Sequence, residues 1–205
     1  MSPDYIIGQI ITGAIAGITA ALLLKIFGWF FKPRLRIYFK ENDSYTEAPV
    51  QSGETFLFTH LVVENIRKSI AVGCRVFILK IEKKNNKKFE SIPLKVYYTL
   101  KWSNENEPKG YEGLVIPGNY RRRIDLASAR LDSSSGFSLF IEGGARGVVN
   151  KFYEGEYRFT VQATGDNTNT VTKRFILELY GNFKKDNIRI KEENLFKKLW
   201  FKIIK

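Results

Sequence analysis

From Tyr5 to Leu24 the chain runs through YIIGQIITGAIAGITAALLL without a single charge. A helix needs about twenty such residues to cross the hydrocarbon core of a bilayer. Inside a bilayer only a helix or a closed barrel satisfies its own backbone hydrogen bonds, so this run predicts a transmembrane helix within residues 1–32. Lys25 interrupts the apolar stretch, but its long stem can carry the ammonium to the interface. Ile26 to Phe31, with Trp29, then form an aromatic belt at headgroup level, and Tyr5 is the matching anchor at the other face. The two anchors stand roughly 36 Å apart along the helix, a span suited to a tilted segment. A cleaved signal peptide is disfavoured, because the run has no basic stretch before it and no small-residue cleavage site after it.

No basic residue precedes the span, whereas Lys25, Lys32, Arg34, Arg36 and Lys40 follow it closely. Cationic flanks stay on the cytoplasmic side, so the expectation is a single-pass protein of the inner membrane with its body in the cytoplasm. The lone Cys74 agrees with a reducing compartment and reads as an inert core thiol. Asn42-Asp43-Ser44 is then a turn rather than a glycosylation acceptor. Gly13 and Gly17 lie four residues apart, with Ala21 at the same spacing and Gln9 nearby. Small residues let two helix backbones approach closely, which makes a homo-oligomer through Gly13 and Gly17 an expectation.

Pro33 ends the helix, and the pattern after it has period two. Leu35, Ile37 and Phe39 alternate with polar neighbours, and Phe56 to Val63 and Cys74 to Ile81 are rich in β-branched and aromatic residues. The same alternation marks Leu94 to Leu100, Phe137 to Ile141, Tyr157 to Ala163 and Val171 to Leu179. Turn clusters separate these runs, among them KKNNKK (Lys83 to Lys88), Ile116-Pro117-Gly118 and Gly165-Asp166-Asn167. No helix of ten or more residues is expected between them. The fold class is therefore mainly β: an antiparallel β-sandwich over residues 33–190, behind the membrane helix, with Trp102 as a core anchor.

The strings LVVEN (Leu61 to Asn65), AVGCRVFILKIEK (Ala71 to Lys83), LKWSN (Leu100 to Asn104), IPGNY (Ile116 to Tyr120) and YRFTVQATGDN (Tyr157 to Asn167) resemble an uncharacterised family of bacterial proteins. Its members carry one immunoglobulin-like β-rich domain, sometimes behind a membrane helix. The resemblance covers most of Leu57 to Tyr180. It implies the fold and a bacterial source and brings no activity or binding residue with it.

The net charge of +12 resides in the body. Residues 191–205 read as a basic amphipathic helix, with Leu195, Phe196, Leu199, Trp200 and Ile203 on one face and lysines on the other. Such a helix suits the headgroup layer of an anionic bilayer, and docking on the sandwich is the alternative. A bilayer with anionic headgroups and a protein partner are thus the expected partners, and nucleic acid is not expected.

One cysteine and one histidine exclude a disulfide framework and a zinc site of about four N/S ligands, and no cofactor or metal is expected. His60 has no visible triad context and reads as a structural or surface residue. The glycines from Gly143 to Gly147 lack the ending of a phosphate-cradling loop. Arg121, Arg122 and Arg123 remain as the candidate ligand-binding cluster, since guanidinium forks match phosphate oxygens; a solvated cationic edge is the competing reading. Two functions follow. The first is a non-enzymatic, membrane-anchored interaction module, which requires an apolar patch or free sheet edge. The second is a membrane effector that binds an anionic small molecule, which requires a concave basic pocket with aromatic walls.

Overall fold

Helix and body meet at Pro33, which is buried while the residues on either side of it are exposed. The computed structural model describes residues 3–49, 53–94, 97–105, 109–131, 136–139, 141 and 152–193. Helix α1 (Pro3–Phe31) precedes the body. Its segment Gly13–Phe31, 19 residues, is long and apolar enough to cross a membrane, and none of it is buried against the rest of the chain.

The strands follow in order: β1 (Leu35–Tyr38), β2 (Tyr45–Pro49), β3 (Thr55–Asn65), β4 (Ala71–Asn85), β5 (Lys88–Ile92), β6 (Tyr98–Thr99), β7 (Lys101–Trp102), β8 (Leu114–Ile116), β9 (Arg121–Arg130), β10 (Ser138–Leu139), β11 (Gly155–Thr164), β12 (Val171–Leu179) and β13 (Ile188–Glu192). They form two antiparallel sheets. One runs β1-β3-β9-β10, with β2 also on β3 and β7 also on β9; the other runs β13-β12-β11-β4-β5, with β6 and β8 also on β4. Residues from both sheets share one buried core, in which Trp102, Phe137, Phe152, Phe159, Phe175 and Phe183 are the largest fully enclosed side chains. Phe137 stacks on Phe152 at 5.0 Å and meets Tyr157 edge-on at 5.7 Å, a favourable arrangement for aromatic rings.

Period two holds best on β11, where Tyr157, Phe159, Val161 and Ala163 are all buried and their neighbours are not. It fails from Tyr98 to Leu100. Tyr98, Thr99 and Leu100 are buried in succession, because the chain changes sheets there: β6 pairs with β4 and β7 pairs with β9. The expected KKNNKK turn is shorter than its composition implies. β4 continues to Asn85, β5 begins at Lys88, and Asn86 adopts a φ of 54° in the two-residue connection. Five strands lie outside the expected runs (β2, β5, β8, β9 and β13), and the last of them takes Lys191 and Glu192 from the expected C-terminal helix. Leu195, Phe196, Leu199, Trp200 and Ile203 lie outside the described residues.

Candidate functional site

Strand β9 carries the arginine cluster at its start, where the strand is exposed, and then passes beneath its neighbours from Ile124 to Ala129. Its partner β3 sets Val62 opposite Arg123, Val63 opposite Arg122 and Glu64 opposite Arg121. The register continues through Leu61 opposite Ile124 and His60 opposite Asp125 and then shifts: Thr59 faces Ala127, so Leu126 is an extra residue on β9. Such a bulge re-aims the side chains beside it. Here it leaves His60 and Asp125 as a direct cross-strand pair, both nearly buried.

The pair is the centre of a polar cluster. His60 Nδ1 lies 2.8 Å from Asp125 Oδ1. A carboxylate only accepts, so the ring donates from Nδ1, and Nε2 lies 3.1 Å from the Thr46 hydroxyl of β2. Ser103, just past β7, donates to the same Asp125 oxygen and lies 3.2 Å from Nδ1. Ser103 and Asp125 thus meet one ring nitrogen, whereas a Ser-His-Asp triad places them on opposite ones. Only Thr46-His60-Asp125 has the order hydroxyl, imidazole, carboxylate. Arg123 Nη1 reaches the Thr46 hydroxyl at 3.5 Å and so joins this cluster to the arginines.

The three arginines differ in their partners. Arg121 pairs with Asp43 at 3.1 Å, and Lys40 reaches the same carboxylate oxygen at 2.9 Å. The hydrogen bond from Lys40, followed by the charges of Lys40, Arg121 and Arg123, holds the Asp43 carboxyl below the usual carboxylate range against the opposing effect of burial. Arg122 stacks on the Tyr120 ring at 5.7 Å. Among the described residues no carboxylate lies at ion-pair distance from Arg122 or Arg123. All three arginines, with Tyr120, Asn104 and Asp43, line a concavity of about 340 Å³. A second hollow of about 230 Å³, lined by Thr46, His60, Lys101, Ser103 and Arg123, adjoins it through Arg123, Ser103 and Asn104.

The expected cluster Arg121 to Arg123 therefore stands together on one concave surface, with Lys101 in the adjoining hollow. Trp29 is exposed near the end of α1, and Tyr5 lies in the same helix with its side chain outside the described part. Gly13 and Gly17 have open space around the position a Cβ would take, so none of the described residues packs there. Cys74 is buried, and burial pushes its thiol up to about 11, which keeps it protonated and unreactive. Among the described residues no group of three or more His, Cys, Asp or Glu side chains could hold a metal ion.

The polar cluster of Thr46, His60, Ser103 and Asp125 was not legible in the sequence. Parity places Phe58, His60 and Val62 on one face, but the partner of His60 depends on a register and a bulge that have no sequence signature. No family model matches the chain, and no curated protein matches it.

Proposed function

We propose that the protein is a membrane-tethered β-sandwich that binds a phosphate-bearing small molecule on the β9 arginines and works without catalysis. α1 spans the inner membrane once and leaves the body in the cytoplasm, as the basic residues that follow the span favour. The sheets are read as an immunoglobulin-like sandwich. The support is the pairing β1-β3-β9-β7 on one side and β12-β11-β4-β5 on the other, which follows the order A-B-E-D and G-F-C-C′.

One observation carries the ligand reading: Arg122 and Arg123 face a concavity beside the Tyr120 ring, and among the described residues no carboxylate lies at ion-pair distance from either. Guanidinium groups in a hollow of this size suit the charge and planarity of a phosphate with an aromatic or sugar body. The interaction-module reading would instead use the outer edge of β5, which is short and flanked by lysines, features that discourage strand addition. The test is calorimetric titration of the full chain in detergent with ADP and with inorganic pyrophosphate. Replacing Arg122 and Arg123 together by Gln should weaken binding by at least about tenfold, since charge-assisted hydrogen bonds contribute about 1.5–3 kcal/mol each. Equal binding by the wild type and the double variant would overturn the assignment.

A hydrolytic second reading rests on the order Thr46-His60-Asp125 beside Arg123. Turnover of a phosphoester that vanishes in Thr46→Val while pyrophosphate binding persists would favour it.

A further inference from the structure

A different cavity, of about 530 Å³, lies where α1 meets the body, and its lining includes Trp29, Lys32, Arg34, Arg36, Arg67 and Lys173. Two of these cations are already engaged: Arg36 stacks on Tyr38 at 4.9 Å, and Lys173 pairs with Glu192. Lys32, Arg34 and Arg67 have no carboxylate at ion-pair distance among the described residues. Three uncompensated cations around one hollow call for an anion.

The position of the hollow says which anion. Arg67 belongs to the connection between β3 and β4, residues 66–70, and this loop packs beside the last turn of the helix. Ile66, Arg67 and Lys68 line a further recess together with Phe30 and Phe31. If Gly13–Phe31 crosses the bilayer, residues 66–68 lie at the level of the helix end, which is the headgroup layer. The loop has the composition that layer selects. Ile66 is 39% exposed and Ile70 55%, with Arg67, Lys68 and Ser69 between them. An exposed isoleucine on each side of two cations is costly in water and favourable at a membrane interface.

The loop is also held in place. Asn65, fully buried, accepts from the backbone N–H groups of Arg34 and Arg67 at 3.3 Å each and donates to the Ser69 carbonyl at 2.6 Å and the Ile116 carbonyl at 3.2 Å. The Ile66 N–H donates to the Arg34 carbonyl at 2.9 Å, and the Asn119 N–H to the Arg67 carbonyl at 3.1 Å. One side chain thus fixes the helix exit, the loop and the turn before β9 relative to one another, so the cations are arranged before any ligand arrives.

We propose that Lys32, Arg34 and Arg67 form a binding site for the phosphate of an acidic phospholipid headgroup, with Ile66 and Ile70 seated in the interface beside it. The site rests on the transmembrane reading of α1 and is independent of the β9 arginines. It sets the height and tilt of the body on the membrane.

The test uses the full chain, released from membranes in mild detergent and incubated with phosphatidylglycerol or phosphatidylcholine, with retained lipid counted by native mass spectrometry. The wild type should retain phosphatidylglycerol in preference to phosphatidylcholine. Arg67→Gln should lower that preference about fivefold, and Lys32→Gln, Arg34→Gln and Arg67→Gln together should abolish it. A triple variant that retains phosphatidylglycerol like the wild type overturns the proposal. Inorganic phosphate serves as competitor: displacement of the lipid at equal concentration would make this a site for free phosphate and overturn the lipid assignment, while failure to displace it supports the headgroup. Alkaline extraction of native membranes reads the tether separately. Release of the chain overturns the transmembrane reading, whereas a chain that resists extraction and shows no lipid preference overturns the headgroup site alone.

Discussion

Glu82 on β4 faces Arg158 on β11, and replacing it by Gln should cost stability in a way that depends on pH. Arg158 grips the carboxylate with two parallel bonds, Nε to Oε2 at 2.7 Å and Nη2 to Oε1 at 2.8 Å. Lys80 adds a third at 2.8 Å, and the guanidinium lies over the Phe89 ring at 4.1 Å from its centre. Glu82 is 4% exposed, so solvent screens the pair little. The hydrogen bonds from Arg158 and then Lys80 outweigh burial and hold the Glu82 carboxyl down from 4.5 to about 2. That gap corresponds to about 3 kcal/mol of folding free energy. Because the folded value is the lower one, this contribution is complete above about pH 4.5 and disappears as the pH falls towards 2. Glu82→Gln should therefore unfold in urea with about 3 kcal/mol less stability at neutral pH, and its curve should meet that of the wild type near pH 2. The assay is urea denaturation of the full chain in detergent, followed by circular dichroism at a series of pH values. Only the difference between the two proteins matters, since other carboxylates titrate in both. A difference that stays constant from neutral pH to pH 2 would refute the reasoning, as would no difference at neutral pH.

Asp125→Asn should destabilise the body by about 3–5 kcal/mol if the His60 pair is a buried ionic contact, and by about 1 kcal/mol if it behaves as an ordinary hydrogen bond; thermal melting separates the two, and no change at all would remove the pair from the account. Asn65→Ala leaves the Arg34 and Arg67 N–H groups and the Ser69 and Ile116 carbonyls without this partner. It should cost at least about 3 kcal/mol and open residues 66–70 to proteolysis before global unfolding, which limited digestion would reveal as an early cut.

Much of this chain is readable from residue order. An apolar run without charge specifies a helix long enough to cross a membrane whatever follows, because hydropathy is a local property. Alternation of apolar residues specifies β11 for the same reason, whereas on β12 Lys173 and Ile176 interrupt it and Phe175 to Leu179 are buried in succession. The arginine triplet is visible as a cluster because its members are adjacent in the sequence. The failures are of one kind. Between Leu94 and Lys101 alternation continues on paper while the chain passes from one sheet to the other, and a crossing point depends on which strands flank it. Strand β2 is weakly apolar and β8 is only three residues long, and both exist because β3 and β4 offer them hydrogen-bonding edges.

The two polar sites divide along the same line. Sequence alone determined that the body is basic, that a cationic segment follows the helix, and that Arg121, Arg122 and Arg123 form a cluster; that they start strand β9 came from the structure. Tertiary structure decided everything that needed two distant segments. It set His60 against Asp125 through a bulge, Asp43 against Arg121 but not against Arg122, and Arg67 against the end of α1 through the hydrogen bonds of Asn65. Charge belongs to a residue and can be read one letter at a time. Whether that charge is paired or left facing a hollow belongs to the packing, because a carboxylate acts over a few ångströms while the residues that bring it there stand 65 positions apart, as His60 and Asp125 do.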